Sequence, residues 1–411
     1  MTNPFYDAFA VLQKVYGGGA YLKQALADTP IEELNRARTV KLCYGVLEND
    51  LYLDFCIRSF APKNPKLPIR ILLKESLYML LFMGKKKYMV TDNAVSLAKK
   101  LGKGGAAGFI NAFLRAFDAE KLRLPEEKIR ALSLRYSYPE FAVRRLVGEY
   151  GADAENIMRV PPVRAFVRFS DEASAEKYAA QGAEVTPFCG VYAFSRFQRD
   201  EGYDEGLYTF QSVGSAAICD CVAGGDSLLD ACAAPGGKSV LLAKKFRSVT
   251  SFELHAHRTE LIRAYAKRMH AENVAAVCRD SSVYDSAYEQ KFDAVLVDAP
   301  CSGYGVAGEN PDIKFFRKEE DIAALAETQR AILSVCARYV KPCGALYYST
   351  CSVFGEENDD TVGDFLVKNA EFSPEALASP LAHTRKRYGL QFLPHLSMGA
   401  GFYVAKMRRR G

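Results

Sequence analysis

The chain has 411 residues, of which 49% are hydrophobic and 25% charged, with eleven cysteines and a net charge of +5. That length exceeds what one hydrophobic core usually serves, so two or three domains are expected, and the composition is that of an ordinary soluble globular protein. Residues 1–20 have no basic segment leading into a long apolar one and do not resemble a signal peptide, and the longest apolar run, Leu77 to Met83, is too short to span a bilayer, so a cytosolic protein is expected.

The charge is unevenly spread. Residues 1–130 carry 21 Lys and Arg against 13 Asp and Glu, whereas the remainder carries 33 against 36. A basic N-terminal third points to a polyanionic partner such as nucleic acid. In this third, apolar residues recur at helical spacing, as in Leu42, Val46, Leu47 and Leu51, or Ile71, Leu72, Leu77, Leu80 and Leu81. An all-helical domain over residues 1–130 follows. A further helix is predicted over Leu132 to Tyr150, with a boundary at Pro161 and Pro162. Strand-like runs at Val163 to Phe169, Ala183 to Phe188 and Val191 to Phe194 enclose a helix at Ala173 to Gln181, so residues 131–206 are read as a helical linker and a small α+β insert.

From residue 207 to the C-terminus strands alternate with helices. Ser227 to Leu229, Val249 to Glu253, Ala275 to Cys278, Ala294 to Val297 and Ala345 to Tyr348 are separated by helical stretches such as Glu260 to His270 and Asp321 to Val340. This alternation predicts a mostly parallel sheet covered on both faces, with ligands beyond the carboxyl ends of its strands.

Motifs fall at those ends. Asp230-Ala-Cys-Ala-Ala-Pro-Gly-Gly-Lys-Ser239 follows the first strand and opens a helix, where glycines let the backbone approach a ligand. Glu253 ends the second strand, seventeen residues after Gly236, and can accept hydrogen bonds from a ribose diol. Together they suggest a nucleoside-containing cofactor. A phosphate-binding P-loop is a poor match, because the glycine it needs five residues before Gly237 is Cys232, and Gly303-Tyr-Gly-Val-Ala-Gly308 follows the fourth strand instead of the first, the wrong place for a dinucleotide fingerprint. Asp298-Ala-Pro-Cys301 ends the fourth strand and Ser349-Thr-Cys-Ser352 the fifth, so two cysteines and a carboxylate can share one pocket. The odd cysteine count, with no zinc-type ligand spacing, argues for free thiols and no metal. His255 and His257 have no ligand partners nearby in sequence. Lys85-Lys-Lys87 reads as a solvated turn, or as an RNA contact.

These motifs resemble the Nop2/Sun family of RNA (cytosine-5)-methyltransferases over nearly the whole chain, and within it the bacterial branch acting on 16S rRNA. Asp230 to Lys238 resembles the family's cofactor loop, Asp298 to Cys301 its Asp-Ala-Pro-Cys motif, and Thr350 to Ser352, followed by Glu356-Glu-Asn358, its Thr-Cys-Ser motif. Pro311-Asp-Ile-Lys314 and Gly401-Phe-Tyr-Val-Ala-Lys406 also match, and Tyr44-Gly-Val-Leu47 and Gly108 to Arg115 look like its NusB-like RNA-binding domain. The resemblance implies a NusB-like helical domain, an RRM-like α+β insert and a Rossmann-like class I methyltransferase domain using S-adenosylmethionine. It assigns the cofactor site to Cys232, Ala233, Ala234, Pro235, Gly236, Gly237, Lys238, Glu253, Asp280 and Asp298, with Arg258 bracing the loop. It assigns the nucleophile to Cys351 and a base assisting release to Cys301. The chain departs from the family at Gly308-Glu309-Asn310, where a basic pair is usual, at Gln211-Ser212 in place of Gln-Asp, and at Ala400 in place of Asp.

Carbon 5 of cytosine is a poor nucleophile. Addition of a thiolate to carbon 6 makes the ring enamine-like and able to take a methyl group, and cysteine suits this because even an unperturbed thiol, of pKa about 8.5, is a few per cent ionised at neutral pH. Asp298, protonated or bridging through the exocyclic amine, is expected to stabilise the ring, and Lys238 either favours the thiolate or is a solvated helix residue. The target base must lie outside a stack. The implied partner is 16S rRNA in unassembled or partly assembled small subunits, bound by a monomer. The alternatives are the same chemistry on tRNA or another rRNA site, a non-catalytic RNA-binding scaffold, and a DNA methyltransferase, against which the cysteine after the fifth strand argues.

Overall fold

The computed structural model describes residues 3–159 and 164–411. The boundary expected at Pro161 and Pro162, and the first residue of the strand expected from Val163, lie outside them. Two compact units form, residues 1–158 with 310–317, and residues 159–309 with 318–411.

The first unit is helical. Its opening helix, Pro4–Gly18, begins where the Asn3 side chain accepts from the Tyr6 backbone N–H and Pro4 takes an early position whose N–H would be orphaned anyway; it ends at Gly19 in the left-handed conformation. Helices Glu33–Glu48, Asp50–Phe60, Leu67–Leu81, Lys87–Lys100 and Ala107–Ala116 follow and bury their apolar stripes in one core containing Leu12, Val46, Leu72 and Leu114. Lys87 is not simply a solvated turn residue: its Nζ donates to the carbonyls of Arg115 (3.2 Å) and Phe117 (2.7 Å), closing the end of the helix Ala107–Ala116. The helix expected over Leu132 to Tyr150 is two, Lys128–Tyr136 and Glu140–Tyr150, because Ser137 adopts φ 52° and Pro139 cannot continue a helix. Both belong to the helical unit, where Lys128–Tyr136 packs on Asp50–Phe60, and not with the α+β part in one segment 131–206.

The segment Asn310–Arg317 also belongs to this unit, although catalytic-domain sequence flanks it. Asp312 accepts from the Leu22 backbone N–H at 2.7 Å, and Lys314, buried over the Tyr138 ring, donates to the carbonyls of Glu48 (2.9 Å) and Tyr136 (3.2 Å). Phe315 and Phe316 pack edge-on against Tyr16 and Tyr21. The Pro-Asp-Ile-Lys motif is therefore a piece of the helical unit's packing.

Glu75, fully buried on Leu67–Leu81, has no hydrogen-bond partner at either carboxylate oxygen, and burial pushes its pKa well above the ordinary value. A carboxyl raised in the folded state costs nothing below the unfolded value of about 4.3 and an increasing amount as pH climbs from there towards the folded value. Glu75→Met, which removes the polar atoms at similar volume, is expected to stabilise the unit by about 1–3 kcal/mol at pH 7. Hydrogen exchange across residues 67–81 checks this: it should slow, and unchanged or faster exchange would contradict it.

The second unit has two sheets. Strands β1 (Ala165–Phe169), β2 (Glu184–Val185), β3 (Val191–Phe194) and β4 (Tyr208–Phe210), with helices Glu172–Ala179 after β1 and Glu201–Asp204 before β4, make an antiparallel sheet in the order β2-β3-β1-β4. This is the split βαβ pattern of RRM-like domains. β2 is shorter than the run Ala183 to Phe188 suggested.

The larger sheet contains β5 (Gly225–Asp230), β6 (Phe246–Glu253), β7 (Val274–Cys278), β8 (Phe292–Asp298), β9 (Val340–Thr350), β10 (Phe372–Glu375), β11 (Thr384–Arg385), β12 (Gly389–Phe392) and β13 (Phe402–Arg409). The order is β11-β12-β13-β9-β8-β5-β6-β7, with β10 on β13; β5 to β9 are mutually parallel and β13 runs antiparallel to β9. Neighbouring residues along a strand enter different cores, Leu228, Leu296 and Tyr347 on one face, Leu229, Val295 and Leu346 on the other, so both faces are covered. The chain reverses direction of travel across the sheet at β5, with β6 and β7 on one side and β8 and β9 on the other, and this opens a crevice beyond the β5 and β8 carboxyl ends.

Candidate active site

Asp298 and Ser349 are in register at the ends of β8 and β9, so the two following loops start side by side. Cys301 Sγ lies 3.0 Å from Cys351 Sγ, and the Cys351 backbone N–H donates to Cys301 Sγ at 3.2 Å. The Gly305 N–H donates to the Cys351 carbonyl at 3.0 Å, and a Cβ on Gly305 would stand 2.0 Å from the Gly401 carbonyl oxygen, so this backbone contact needs glycine. Packing against Gly401, not dinucleotide binding, accounts for Gly305 in the run Gly303 to Gly308. The hydrogen bond with Cys351, reinforced by burial, holds the Cys301 thiol well above the ordinary cysteine range. Cys301 thus keeps its proton at neutral pH, in hydrogen-bond contact with the Cys351 sulfur.

Asp298, at the end of β8, lines the crevice. Asp298 Oδ2 accepts from Lys238 Nζ at 2.6 Å and Oδ1 from Ser349 Oγ at 2.7 Å. Burial works against the Lys238 charge, but the Asp298 carboxylate more than offsets it, so its pKa ends above the ordinary lysine value. Lys238 is therefore not a solvated helix residue: its side chain is 13% exposed and sits over the Phe402 ring at 5.9 Å.

The helix Gly237–Leu242 starts at Gly236, whose φ of 104° no other residue type adopts easily. Ahead of it, Cys232, Ala233, Ala234 and Pro235 line a pocket with Gly237, Lys238 and Asp298. Asp230, at its floor, accepts from Ser239 Oγ at 2.6 Å through Oδ2, whereas the buried Oδ1 has no partner; burial pushes this carboxyl up to about 6. Glu253 and Asp280 do not line that pocket but stand at the ends of β6 and β7. The Glu253 carboxylate, 4% exposed, accepts from the His255 N–H at 3.1 Å and pairs with Arg258 at 3.3 Å. Arg258 also reaches the Ala234 carbonyl at 3.4 Å. Asp280 accepts from the Ser282 N–H and hydroxyl at 2.8 and 2.6 Å, which lowers its pKa.

A family profile described as "16S rRNA methyltransferase RsmB/F" matches residues 221–408, and one described as "NusB family" matches residues 7–119. The "Probable ribosomal RNA small subunit methyltransferase B" of Bacillus subtilis (strain 168) is 34% identical over 95% of this chain and 94% of its own length. The chain belongs to the RsmB/F family of rRNA methyltransferases. The Erwinia tasmaniensis "Ribosomal RNA small subunit methyltransferase B" is 28% identical over 99% of both chains. The solved structure of PH0851 shares the fold, with a TM-score of 0.83 at 23% identity over the whole of both chains. NSun6 from Pyrococcus horikoshii superposes with a TM-score of 0.57 at 17% identity, over 66% of this chain and 98% of its own.

As a member of this family the protein is an S-adenosylmethionine-dependent methyltransferase of small-subunit rRNA. Its own residues fit that cofactor. A glycine-lined loop, the partnerless oxygen of Asp230 and a row of carboxylates at the ends of β5 to β8 suit a ligand with a cationic sulfonium, an ammonium group and a ribose diol. Sequence reasoning missed Phe210 and Tyr265, which line the same pocket. It also gave no role to Glu357, which links the two cysteine loops; the only signal was its place in the Glu-Glu-Asn run.

Proposed function

We propose that the enzyme methylates carbon 5 of a cytosine in 16S rRNA, with Cys351 as nucleophile and Cys301 as the group that assists release. The carrying observation is the 3.0 Å approach of the two sulfurs, on the loops that follow the paired ends of β8 and β9. Cys232 to Lys238, Glu253, Asp280 and Asp298 would hold S-adenosylmethionine, which supplies an electrophilic methyl group when bound. Arg258 supports the loop.

The Cys351 thiolate adds to carbon 6, and the ring becomes nucleophilic at carbon 5. Asp298, already paired with an ammonium, accepts from the cytosine exocyclic amine, and the remaining Lys238 N–H groups face the same pocket; this ion pair steadies charge building on the ring. Lys238 acts through Asp298 in this reading, since its Nζ donates to that carboxylate at 2.6 Å. After methyl transfer the carbon 5 proton must leave before Cys351 is expelled. Cys351 is then a neutral thioether, a weak acceptor, so the hydrogen bond that favours the Cys301 thiol is weakened; Cys301 can lose its proton to solvent and take up the one from carbon 5. The basic helical unit would hold phosphates and set register, in the cytosol and acting as a monomer.

The test is adduct trapping. Cys301→Ala incubated with S-adenosylmethionine and unmodified 16S rRNA should accumulate a protein–RNA adduct that survives denaturing electrophoresis, and Cys351→Ala should form none. Adduct with Cys351→Ala and none with Cys301→Ala would reverse the roles.

A further inference from the structure

Each candidate cysteine is followed by a serine, and both serines meet one buried carboxylate. Glu357 lies in the short turn Gly355–Glu357, seven residues after the end of β9, and is fully buried. Its Oε1 accepts from the Ser302 backbone N–H at 2.8 Å and from Gln329 Nε2 at 3.1 Å; its Oε2 accepts from the Ser302 hydroxyl at 2.6 Å and from the Ser352 hydroxyl. Ser302 and Ser352 oxygens stand 3.3 Å apart. Gln329 also donates to the Pro300 carbonyl at 2.9 Å, and the buried Tyr348 hydroxyl donates to the Glu357 carbonyl at 2.6 Å, so the carboxylate is itself held from below.

Such a carboxylate is expensive to bury, and four donors converging on it stabilise it only if both loops keep their places. The loops also meet through the two thiols, the Cys351 N–H on Cys301, the Ser302–Ser352 hydroxyl contact and the Gly305 N–H on the Cys351 carbonyl, none of which is charge-assisted. We propose that Glu357 is a positioning residue that clamps the loops 300–302 and 350–352 together and so sets the approach of Cys301 to Cys351. Its effect on catalysis rests on the two-cysteine reading above. Its effect on geometry does not.

The experiment uses the full-length enzyme and reads both. Diamide, an azo oxidant that takes up the two hydrogens lost when two thiols join, is added to the reduced protein, and the Cys301–Cys351 disulfide is followed by peptide mass spectrometry. Methyl transfer to 16S rRNA and S-adenosylmethionine affinity are measured on the same samples. Misplacement by about an ångström can cost two orders of magnitude in rate, so Glu357→Ala should slow cross-linking and kcat by about ten-fold or more with KM and cofactor affinity unchanged. Glu357→Gln keeps the acceptor for the Ser302 N–H but loses one for the hydroxyls, and should slow both by about three-fold; it decides the matter if the alanine variant does not fold. Wild-type cross-linking in either folded variant would overturn the proposal. Slower cross-linking with undiminished methyl transfer would uphold the clamp and sink the two-cysteine chemistry instead.

Discussion

Cys351→Ala is expected to lower methyl transfer to 16S rRNA by on the order of 10⁴-fold or more, the scale seen when a covalent nucleophile is removed. Without addition at carbon 6 the cytosine ring has no means of attacking a sulfonium methyl, and neighbouring groups do not replace the lost sulfur. Cys301 is closest, but its thiol stays buried in the variant, and burial holds it above the ordinary cysteine range. Cofactor affinity should be unchanged, because the pocket is lined by the loop after β5, by Asp298 and by the β4 end, without Cys351. Radiolabelled methyl incorporation measured beside equilibrium binding of S-adenosylmethionine separates the two. Loss of both together would point to a collapsed site.

Asp298→Ala is expected to lower kcat/KM for rRNA by about 10²- to 10³-fold, as loss of one preorganised electrostatic contact does. The variant removes the carboxylate we propose as acceptor for the substrate amine and strands the Lys238 ammonium, whose partner stands at 2.6 Å in the intact site. The pH response should change as well. In the wild type the Lys238 pKa is raised, so the pair's stabilising contribution is complete below the unfolded value of about 10.4 and is lost only as pH climbs through the folded one. Across pH 6–9 it adds no slope. With Asp298 gone, burial is the largest influence left and lowers the lysine pKa, so the variant should become more stable as pH rises towards the unfolded value. Melting curves of both proteins across pH 7–10 check this; parallel curves would contradict the account of Lys238.

The parallel part of the catalytic sheet was readable because β5 to β9 are short apolar runs at regular spacing, each ended by a residue with visible chemistry. The C-terminal strands were not. β13 lies inside the sheet with both faces covered, so Phe402 to Met407 show no alternation, and Lys406, buried against Glu375, looks like a surface residue in the sequence. The segment Asn310–Arg317 was misplaced for a related reason: its neighbours in sequence are catalytic, whereas Asp312 and Lys314 bond to backbone groups of residues 22, 48 and 136, which no local pattern encodes. In the site, Cys301, Cys351 and Asp298 stood out as strand-end residues. Glu357 did not, because a buried carboxylate satisfied by two serines and a glutamine has the same local sequence as a solvated turn.

The most direct measurement is methyl transfer from S-adenosylmethionine to unmodified 16S rRNA by the wild-type enzyme and by Cys351→Ala, with the product mapped by bisulfite sequencing. The account predicts a single protected cytosine with the wild type and none with the variant. No protected cytosine in 16S rRNA with the wild type, or one that persists with Cys351→Ala, would contradict it.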